Sequence, residues 1–513
     1  MQSGFDALAA GDRAAAADIC REALAQKPDM PRAHYLAALV AIDANQRDVA
    51  IRALETTVTL SEQHAIAWAR LAELYVSSGR FVKAEEALLN AVRTERGKAS
   101  TRDLIGKVFR LAGNLEASHQ WHQKAVAADG THVPFLINLA NSHVFRGEVE
   151  TAKDVLHAAL AIEPDNAQLH WLLSRVGKVD STEHIDELES ILARQTEPRS
   201  VAYVHYARGK EHEDLGNWSA AFSSWQQGAA ARRKLVAFDE AAEIELFETL
   251  QATFSKSWFD SQQSDCSNAG PIFIVGQPRT GTTLLDRMLD AHPAVNSAGE
   301  LRHFGFAVRE VSGHDEALQF SSALIRASAD ARPADIGNAY LDSAASLRGN
   351  AAHFIDKLPS NYLYLPLIAA AMPNARILHI RRDPMDTCLA IYKQLFGDAY
   401  LYSYDLEELA RHYLRYCALM SVWRERFSEH FYEIDYESLV ASPEETLRRI
   451  LQFIGLSWNE RCLRFHEAGN ATATASAAQV REAPHKRSIG HWKNFEQQLQ
   501  PVADILRAGG VIS

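Results

Sequence analysis

The sequence predicts two architectures within 513 residues: an all-α repeat solenoid and, after it, an α/β domain built on a parallel sheet. The solenoid is predicted by small residues that recur with a period of 34 through the amino-terminal part. The α/β domain is predicted by two strand-like runs, at 272–275 and 375–380, that each lead into a polar loop with arginine. This length exceeds that of one ordinary core, in agreement with a multidomain chain.

One residue in each repeat marks a predicted turn between helices. These residues stand 34 positions apart: Gly11, Asn45, Gly79, Gly113 and Gly147. Small residues recur at fixed distances on either side of each turn, where they let two helices cross closely. Gly216 restores the pattern 69 residues after Gly147, which fits one degenerate repeat with one inserted residue.

The period and its small positions resemble the tetratricopeptide repeat. We predict a right-handed solenoid of six or seven repeats over residues 1–235, a helical connector and polar linker over 236–270, and the second domain over 271–513. The concave face of such solenoids usually holds extended peptides, so a protein or peptide partner is expected there. Support or dimerisation of the second domain is the alternative role.

The first strand-like run leads into a loop with the features of a phosphate-binding turn. Gly276 ends the run, and Gly281 follows at the spacing of a Walker A loop, but Thr282 stands where a nucleotide triphosphatase needs lysine. The cation is instead Arg279, inside the loop. Thr282 and Thr283 are expected to cap the following helix and to donate to phosphate oxygens. Backbone N–H groups at a helix start favour an anion at this point.

This loop, PRTGTTLLDRMLDAHP, and the later LHIRRDPMDT resemble the two cofactor motifs of sulfotransferases that use 3'-phosphoadenosine 5'-phosphosulfate (PAPS). The likeness is greatest to the protein-tyrosine sulfotransferases and covers about residues 271–495. It implies a P-loop-like α/β fold and sulfuryl transfer without a metal. It also implies a 5'-phosphosulfate loop formed by Arg279, Thr280, Gly281, Thr282 and Thr283.

The resemblance implies that Glu300 is the catalytic base. A phenol has a pKa near 10, so its attack at neutral pH requires a positioned proton acceptor. His303 and His292 are rival bases, and a solvated glutamate at a helix start is the alternative interpretation of Glu300. In FIDKLPSN, Lys357 matches the family lysine that, with Arg279, would neutralise charge on the departing oxygen.

The second motif supplies the other end of the predicted cofactor site. Arg382 is placed to hold the 3'-phosphate in a bidentate grip. A serine commonly lies eight residues after this arginine in the family, but this chain has Ala390 there. The resemblance places Tyr436 at a nucleotide contact, and three residues of a late loop are candidates for the 3'-phosphate and adenosine side: Lys486, Arg487 and Ser488. The small, polar segment 468–484 is predicted to be mobile and to close over the cofactor.

Composition excludes several classes of function. A net charge of −12 argues against general binding to nucleic acid or anionic membranes. Five scattered cysteines without a CxxC pair indicate reduced thiols rather than a zinc knuckle or a disulfide scaffold. The amino terminus lacks a signal-like pattern and no run of 18 apolar residues occurs, so we expect a cytoplasmic protein without a membrane span.

The predicted function is PAPS-dependent sulfuryl transfer to a hydroxyl group. Tyrosine in a peptide or protein is the first choice of acceptor, because of Arg279, Glu300 and the repeat domain. A hydroxyl of a glycan, a lipid or a small molecule is the alternative. A P-loop kinase would use a similar loop but needs the lysine after Gly281, and an inactive nucleotide-binding scaffold is suggested only by Ala390.

Overall fold

The computed structural model describes residues 1–262, 264, 266, 270–314, 320–467 and 483–513. The chain forms two compact units, Met1–His143 and Val144–Ser513. The second unit therefore includes residues 144–235, which the repeat pattern groups with the solenoid. The boundaries at 235 and 270 stay a prediction. The segment predicted to close over a cofactor, 468–484, lies outside the described residues except for its last two.

The first unit consists of helical hairpins. Its helices are α1 (Gln2–Ala9), α2 (Arg13–Gln26), α3 (Pro31–Asp43), α4 (Arg47–Leu60), α5 (Ala65–Ser77), α6 (Phe81–Thr94), α7 (Ala99–Leu111) and α8 (Leu115–Ala128). Helix α9 (Val133–Arg146) begins in this unit and crosses the division. The predicted turns have positive φ: Gly11 82°, Asn45 55°, Gly79 78° and Gly113 83°. Glycine adopts such angles freely and asparagine tolerates them, so the 34-residue register is confirmed at these turns.

Helical hairpins also open the second unit. Its first helices are α10 (Val149–Ile162), α11 (Ala167–Arg175), α12 (Glu183–Leu192), α13 (Pro198–Asp214), α14 (Trp218–Arg233), α15 (Glu240–Thr253) and α16 (Lys256–Asp260). Helices α11 and α12 have only 9 and 10 residues and lie in the segment where the sequence pattern is least regular. Helices α13 and α14 cross closely, since a Cβ added to Gly209 would lie 2.3 Å from the Trp225 ring.

A five-stranded parallel sheet forms the centre of the second unit. Its strands are β1 (Ile272–Gly276), β2 (Val295–Ser297), β3 (His353–Asp356), β4 (Arg376–Arg381) and β5 (Phe431–Asp435). The order across the sheet is β2-β3-β1-β4-β5, and Ile272 pairs with Ile355 on one side and with Arg376 on the other. All five residues of β1 are buried because the strand is central and both sheet faces are covered.

The remaining helices cover the two faces of this sheet. They are α17 (Thr282–Asp290), α18 (His303–Val311), α19 (Ser322–Asp330), α20 (Pro333–Ser343), α21 (Leu365–Ala371), α22 (Pro384–Tyr392), α23 (Leu406–Phe427), α24 (Tyr436–Ala441), α25 (Pro443–Ile454) and α26 (Gln500–Ala508). Alternate residues of β1 enter different cores: Phe273 packs in one cluster with α18 and α23, and Ile274 in another with α17 and α25. In the described part of the chain, no helix has the length and apolarity needed to span a bilayer.

Helices α13 and α14 share a core with the sheet-containing part of their unit. Phe222 stacks on Tyr392 with ring centroids 5.7 Å apart, and Trp225 lies 5.5 Å from Phe495. At the edge of this contact, Arg232 pairs with Asp398 at 2.5 Å. These helices therefore pack directly on the part of the chain that carries the predicted cofactor motifs.

Gly209→Ala should destabilise the second unit, because the new methyl group would overlap the fully buried ring of Trp225. Overpacking of this kind costs about 1–3 kcal/mol. Gly130→Ala is the control, since its added Cβ would lie 3.4 Å from the nearest atom, a backbone oxygen. Urea unfolding followed by tryptophan fluorescence measures both variants. Equal midpoints for Gly209→Ala and Gly130→Ala would contradict the close crossing of α13 and α14.

Candidate active site

The loop between β1 and α17 requires both of its glycines. Gly276 has φ 150°, and an added Cβ would lie 2.4 Å from the Ile380 carbonyl oxygen on β4. Gly281 has φ 100°, and its Cβ would lie 2.5 Å from the Tyr436 ring. Gly281 is also the N-cap of α17 and no side chain caps this helix, so the predicted capping by Thr282 and Thr283 is wrong. The uncapped N–H groups and the positive end of α17 therefore face the loop.

Arg279 occupies a strained position inside this loop. Its φ is 68°, a left-handed conformation that costs an L-residue roughly 1–2 kcal/mol. Burial first, and then the positive charges of Arg175 and Arg382, lower the pKa of Arg279 to about 10. The guanidinium is still cationic at neutral pH. Concentrated positive charge in a desolvated loop favours a bound anion.

Arg382 connects the β1–α17 loop to the late loop around Ser488 and to Tyr436. Its Nη1 donates to the Arg279 carbonyl at 3.2 Å, and its Nη2 donates to the Ser488 carbonyl. Its guanidinium lies over the Tyr436 ring, 5.0 Å from the centroid. Both terminal nitrogens thus bind backbone oxygens, an arrangement that differs from the predicted bidentate grip on a phosphate. The buried Nε has no hydrogen-bond partner among the described residues and is one of the N–H donors left for a ligand.

The late loop is fixed from two sides. Asp386 accepts hydrogen bonds from the backbone N–H of Gly490 at 2.6 Å and of Trp492 at 2.9 Å. Glu213, on α13, accepts from His491 Nε2 at 2.7 Å and from Lys393 Nζ at 2.6 Å. Burial alone would raise the pKa of Glu213, but Lys393 and His491 outweigh it and lower the pKa to about 2. Glu213 is therefore an anion that joins a repeat helix to the late loop.

The three candidate residues of that loop lie beside this anchor. Lys486–Ser488 forms a short 3-10 turn, in which the Lys486 and Arg487 side chains are exposed and Ser488 gives its carbonyl to Arg382. Asp386 also forms an ion pair with Arg382, whose Nη2 lies 3.9 Å from its carboxylate. Asp383 instead caps α22 by accepting from the Asp386 backbone N–H at 2.9 Å. Ala390, at the position where the family commonly has serine, is buried within α22.

A second cluster, formed by Glu300 and Lys357, lies at the same edge of the sheet. Lys357 follows β3, which pairs in parallel with β1, so the carboxyl ends of both strands point the same way. The Lys357 side chain is 1% exposed and donates to the carboxylate of Glu300, which is 41% exposed. Burial raises the pKa of the nearby Asp286 to about 6, while the charge of Lys357 opposes that rise. The structure thus brings two of the three predicted catalytic residues into direct contact.

The two rival bases are poorly placed for proton abstraction. His292 uses both ring nitrogens, since Nε2 donates to the Ser457 carbonyl at 3.0 Å and Nδ1 accepts from the Ala294 N–H at 3.1 Å. Burial lowers the pKa of His303 to about 4, and His303 is only 6% exposed, so an acceptor reaches it less easily than the Glu300 side chain, which is 41% exposed. Among the three residues named from the sequence, Glu300 is the best placed base.

Several residues around the site have no signal in the sequence. Tyr400 has φ 53°, and burial first and then the charge of Glu300 raise the pKa of its phenol. Gln277, in the β1–α17 loop, contacts His412 Nε2 at 3.2 Å, and His412 Nδ1 contacts Glu243 on α15 at 2.8 Å. Residues far apart in the chain thereby support the loop.

Two parts of the chain match known families. Residues 271–460 match the sulfotransferase family, and residues 35–100 and 7–58 match two tetratricopeptide repeat models. The chain joins tetratricopeptide repeats to a sulfotransferase-family domain. The predicted fold class is therefore confirmed, with helical repeats first and a sulfotransferase domain with a parallel sheet after them.

Relatives of this chain are distant. An uncharacterized protein of Aquifex aeolicus (strain VF5) is 27% identical over 395 residues, which cover 74% of this chain and 51% of that protein. A putative protein-tyrosine sulfotransferase of Caenorhabditis briggsae is 25% identical over 242 residues, 46% of this chain and 85% of the relative. The sulfotransferase domain of the Synechococcus PCC 7002 olefin synthase has 16% identity and a TM-score of 0.33 over 49% of this chain and 100% of that domain. The chain thus spans about half the length of the Aquifex relative.

The free energy of unfolding of the wild type should fall as the pH rises, and Asp356→Asn should make that fall smaller. Asp356 precedes Lys357, is fully buried and accepts from the Tyr340 hydroxyl at 3.1 Å. Burial raises its pKa to about 8, against about 3.9 in an unfolded chain. The folded state therefore holds the proton more tightly, so this contribution to stability is full below about pH 4 and is lost as the pH rises through 8.

The measurement is the urea midpoint at pH 5 and at pH 8. The exposed Asp342→Asn is the control and should keep the wild-type decline between these values. An equal decline in wild type and Asp356→Asn would show that Asp356 is already ionised at pH 5.

Proposed function

We propose that this protein is a PAPS-dependent sulfotransferase whose acceptor is a hydroxyl group, tyrosine of a peptide or protein in the first place. The observation that carries the proposal is the edge of the sheet where an arginine-containing, lysine-free glycine loop meets the Glu300–Lys357 pair. The glycine loop suits the binding of an anionic sulfuryl donor. The Glu300–Lys357 pair suits removal of the proton of the acceptor hydroxyl beside the negative charge that develops on the departing oxygen.

The loop residues fit the donor from one end. The N–H groups at the start of α17 and the guanidinium of Arg279 would hold the 5'-phosphosulfate. Thr280 and Thr282 are both buried there, and the Thr280 hydroxyl donates to the Gln277 carbonyl at 2.8 Å. Thr280 therefore holds the shape of the loop, while Thr282 and Thr283, at the first turn of α17, are the hydroxyls assigned to the donor.

The opposite end of the donor would be held where Arg382, Tyr436 and the Lys486–Ser488 turn meet. The buried Arg382 Nε without a partner in the described residues is a donor aimed at no protein acceptor, which fits a 3'-phosphate. The exposed side chains of Lys486 and Arg487 add positive charge at this end. This recognition would distinguish a 3'-phosphorylated nucleotide from ATP.

The chemical step forms a bond from the acceptor oxygen to sulfur and breaks the bond from sulfur to the bridging phosphate oxygen. When bound, PAPS supplies the sulfuryl group and leaves as 3'-phosphoadenosine 5'-phosphate. Glu300 accepts the proton of the acceptor hydroxyl, and Lys357 and Arg279 neutralise charge on the departing oxygen. In the structure Lys357 donates to the Glu300 carboxylate and so occupies one of its oxygens. An anionic donor would draw Lys357 away and leave Glu300 ready to accept the proton.

Tyrosine is the preferred acceptor for two reasons. The side chain of Glu300 is 41% exposed and so accessible to a macromolecule, and tetratricopeptide repeats commonly bind peptides. Relatives named protein-tyrosine sulfotransferase agree with this choice. A glycan, lipid or small-molecule hydroxyl is the second candidate.

The test of the proposed function is transfer of labelled sulfate from PAPS to a tyrosine peptide. The matched acceptor is the same peptide with phenylalanine in place of tyrosine. We expect label only on the tyrosine peptide. Label on a glycan or a small phenol instead would change the acceptor but keep the reaction, and no transfer to any hydroxyl would contradict the proposal.

Glu300→Gln should abolish transfer and preserve nucleotide binding. Positioned proton transfer contributes about 10²–10⁴-fold to rate, so kcat should fall within that range. Affinity for 3'-phosphoadenosine 5'-phosphate should stay within about twofold, because glutamine has the shape of glutamate and keeps an oxygen that can accept from Lys357. Glu310→Gln, an exposed change on α18, is the control and should keep full activity. Transfer at the wild-type rate by Glu300→Gln would remove Glu300 as the base.

Glu213→Gln should weaken nucleotide binding through the late loop. The substitution removes the negative charge shared by Lys393 and His491, so the loop that carries Lys486–Ser488 loses one of its two anchors. We expect the affinity for 3'-phosphoadenosine 5'-phosphate to fall about tenfold, with a smaller change in kcat at saturation. The control is Glu189→Gln, which alters a half-exposed pair with Arg208. Unchanged affinity in Glu213→Gln would separate the repeat helices from the donor site.

A further inference from the structure

A pair of histidines lies in the irregular repeat formed by α11 and α12, outside the site described above. His170, on α11, is fully buried, and its Nδ1 lies 2.9 Å from Nε2 of His184 on α12. The two rings are nearly parallel, with an angle of 25° between their planes and centroids 5.1 Å apart. Two ring nitrogens at this distance must share a hydrogen or bind a cation, because their lone pairs would otherwise repel each other.

The outer ring nitrogens determine what the inner ones carry. His170 Nε2 lies 2.7 Å from the Pro164 carbonyl, which can only accept, so this nitrogen carries hydrogen and Nδ1 has a lone pair. His184 Nδ1 lies 2.6 Å from a carboxylate oxygen of Glu211, so a hydrogen lies between those two atoms. With that hydrogen on Nδ1, a neutral His184 would direct a second lone pair at His170. Lone pairs 2.9 Å apart repel, so the pair takes either a proton between the two nitrogens or a metal cation beside them, about 2.0–2.1 Å from each.

A third donor favours the metal. Glu187 follows His184 by three residues on α12, so both side chains lie on the same face of the helix. One carboxylate oxygen of Glu187, one ring nitrogen of His170 and one ring nitrogen of His184 all lie within 4.8 Å of one another. Two imidazoles and a carboxylate are a common ligand set for zinc, and the exposure of Glu187 leaves a fourth position open to water.

The surroundings of the histidines match those of metal ligands. Imidazoles that bind a metal usually donate their other N–H to a carbonyl or a carboxylate, as His170 does to Pro164 and His184 does to Glu211. Glu211 is fully buried, and its second oxygen has no hydrogen-bond partner within the described residues. Burial of a carboxylate with a hydrogen-bond partner on only one oxygen costs free energy. A divalent cation bound to the adjacent imidazole would offset that cost.

We propose that His170, His184 and Glu187 bind one divalent transition metal ion, zinc by the chemistry of the donors, which ties α11 to α12. Glu211 orients His184 without binding the metal. The metal would stabilise the repeat in which the helices are short, beside α13, which packs on the sulfotransferase-family domain. The site is separate from the proposed donor site and does not depend on sulfuryl transfer.

The experiment measures zinc bound by the full chain. The purified protein is treated with a chelator, dialysed and titrated with zinc by calorimetry at pH 7.5, and bound metal is counted by elemental analysis after gel filtration. We expect one zinc per chain and an increase in the melting temperature on binding. Absence of bound zinc in the folded protein would show that the gap holds only a proton and would overturn the proposal.

Two variants locate the metal without relying on the buried histidine. Glu187→Gln changes an exposed side chain and should fold normally, yet lower zinc affinity at least tenfold. Glu211→Gln should lower it about 10–100-fold through the orientation of His184. Glu183→Gln, an exposed change on the same helix, is the matched control and should bind zinc like wild type. Unchanged zinc affinity in both Glu187→Gln and Glu211→Gln would place the metal elsewhere and contradict the assignment.

Discussion

The arrangement of the candidate active site depends on the guanidinium of Arg382. It holds the carbonyl of Arg279 in the β1–α17 loop and the carbonyl of Ser488 in the late loop, and it lies over the Tyr436 ring. These segments are separated by more than 100 residues in both directions, so no local structure can bring them together. One planar cation with several donors fixes them in one place. Arg279 can then keep its left-handed conformation because the surrounding contacts hold its carbonyl.

The helical repeats contribute to this arrangement directly. Phe222 and Trp225 of α14 share a core with Tyr392 and Phe495, which lie next to the late loop, and Glu213 accepts hydrogen bonds from Lys393 and His491 of that region. The last repeats are therefore part of the framework of the candidate active site. This explains why the compact unit extends back to Val144 instead of beginning at the first strand. The repeat pattern assigns α13 and α14 to the solenoid. The compact units instead follow the packing of side chains, which places these two helices with the sheet.

Much of the fold could be predicted because its signals are local. Positive φ at Gly79 follows from a glycine at a fixed period, and the burial of β1 follows from a continuous apolar run. The contact between Glu300 and Lys357 could be predicted only through a family resemblance, since 57 residues separate them. Tyr400, Glu213 and the facing histidines of α11 and α12 could not be predicted, because each acts through a partner that only the tertiary structure brings near. The capping by Thr282 was predicted wrongly because the preceding glycine already serves as the N-cap.

We expect the β1–α17 loop and the late loop, which are both held by Arg382, to bind a 3'-phosphorylated nucleotide. Calorimetric titration of the purified protein with 3'-phosphoadenosine 5'-phosphate, beside ADP with magnesium, tests it most directly. We expect the dissociation constant of the 3'-phosphorylated nucleotide to be at least tenfold lower than that of ADP with magnesium. Preference for the magnesium nucleotide, or equal affinity for the two, would contradict it.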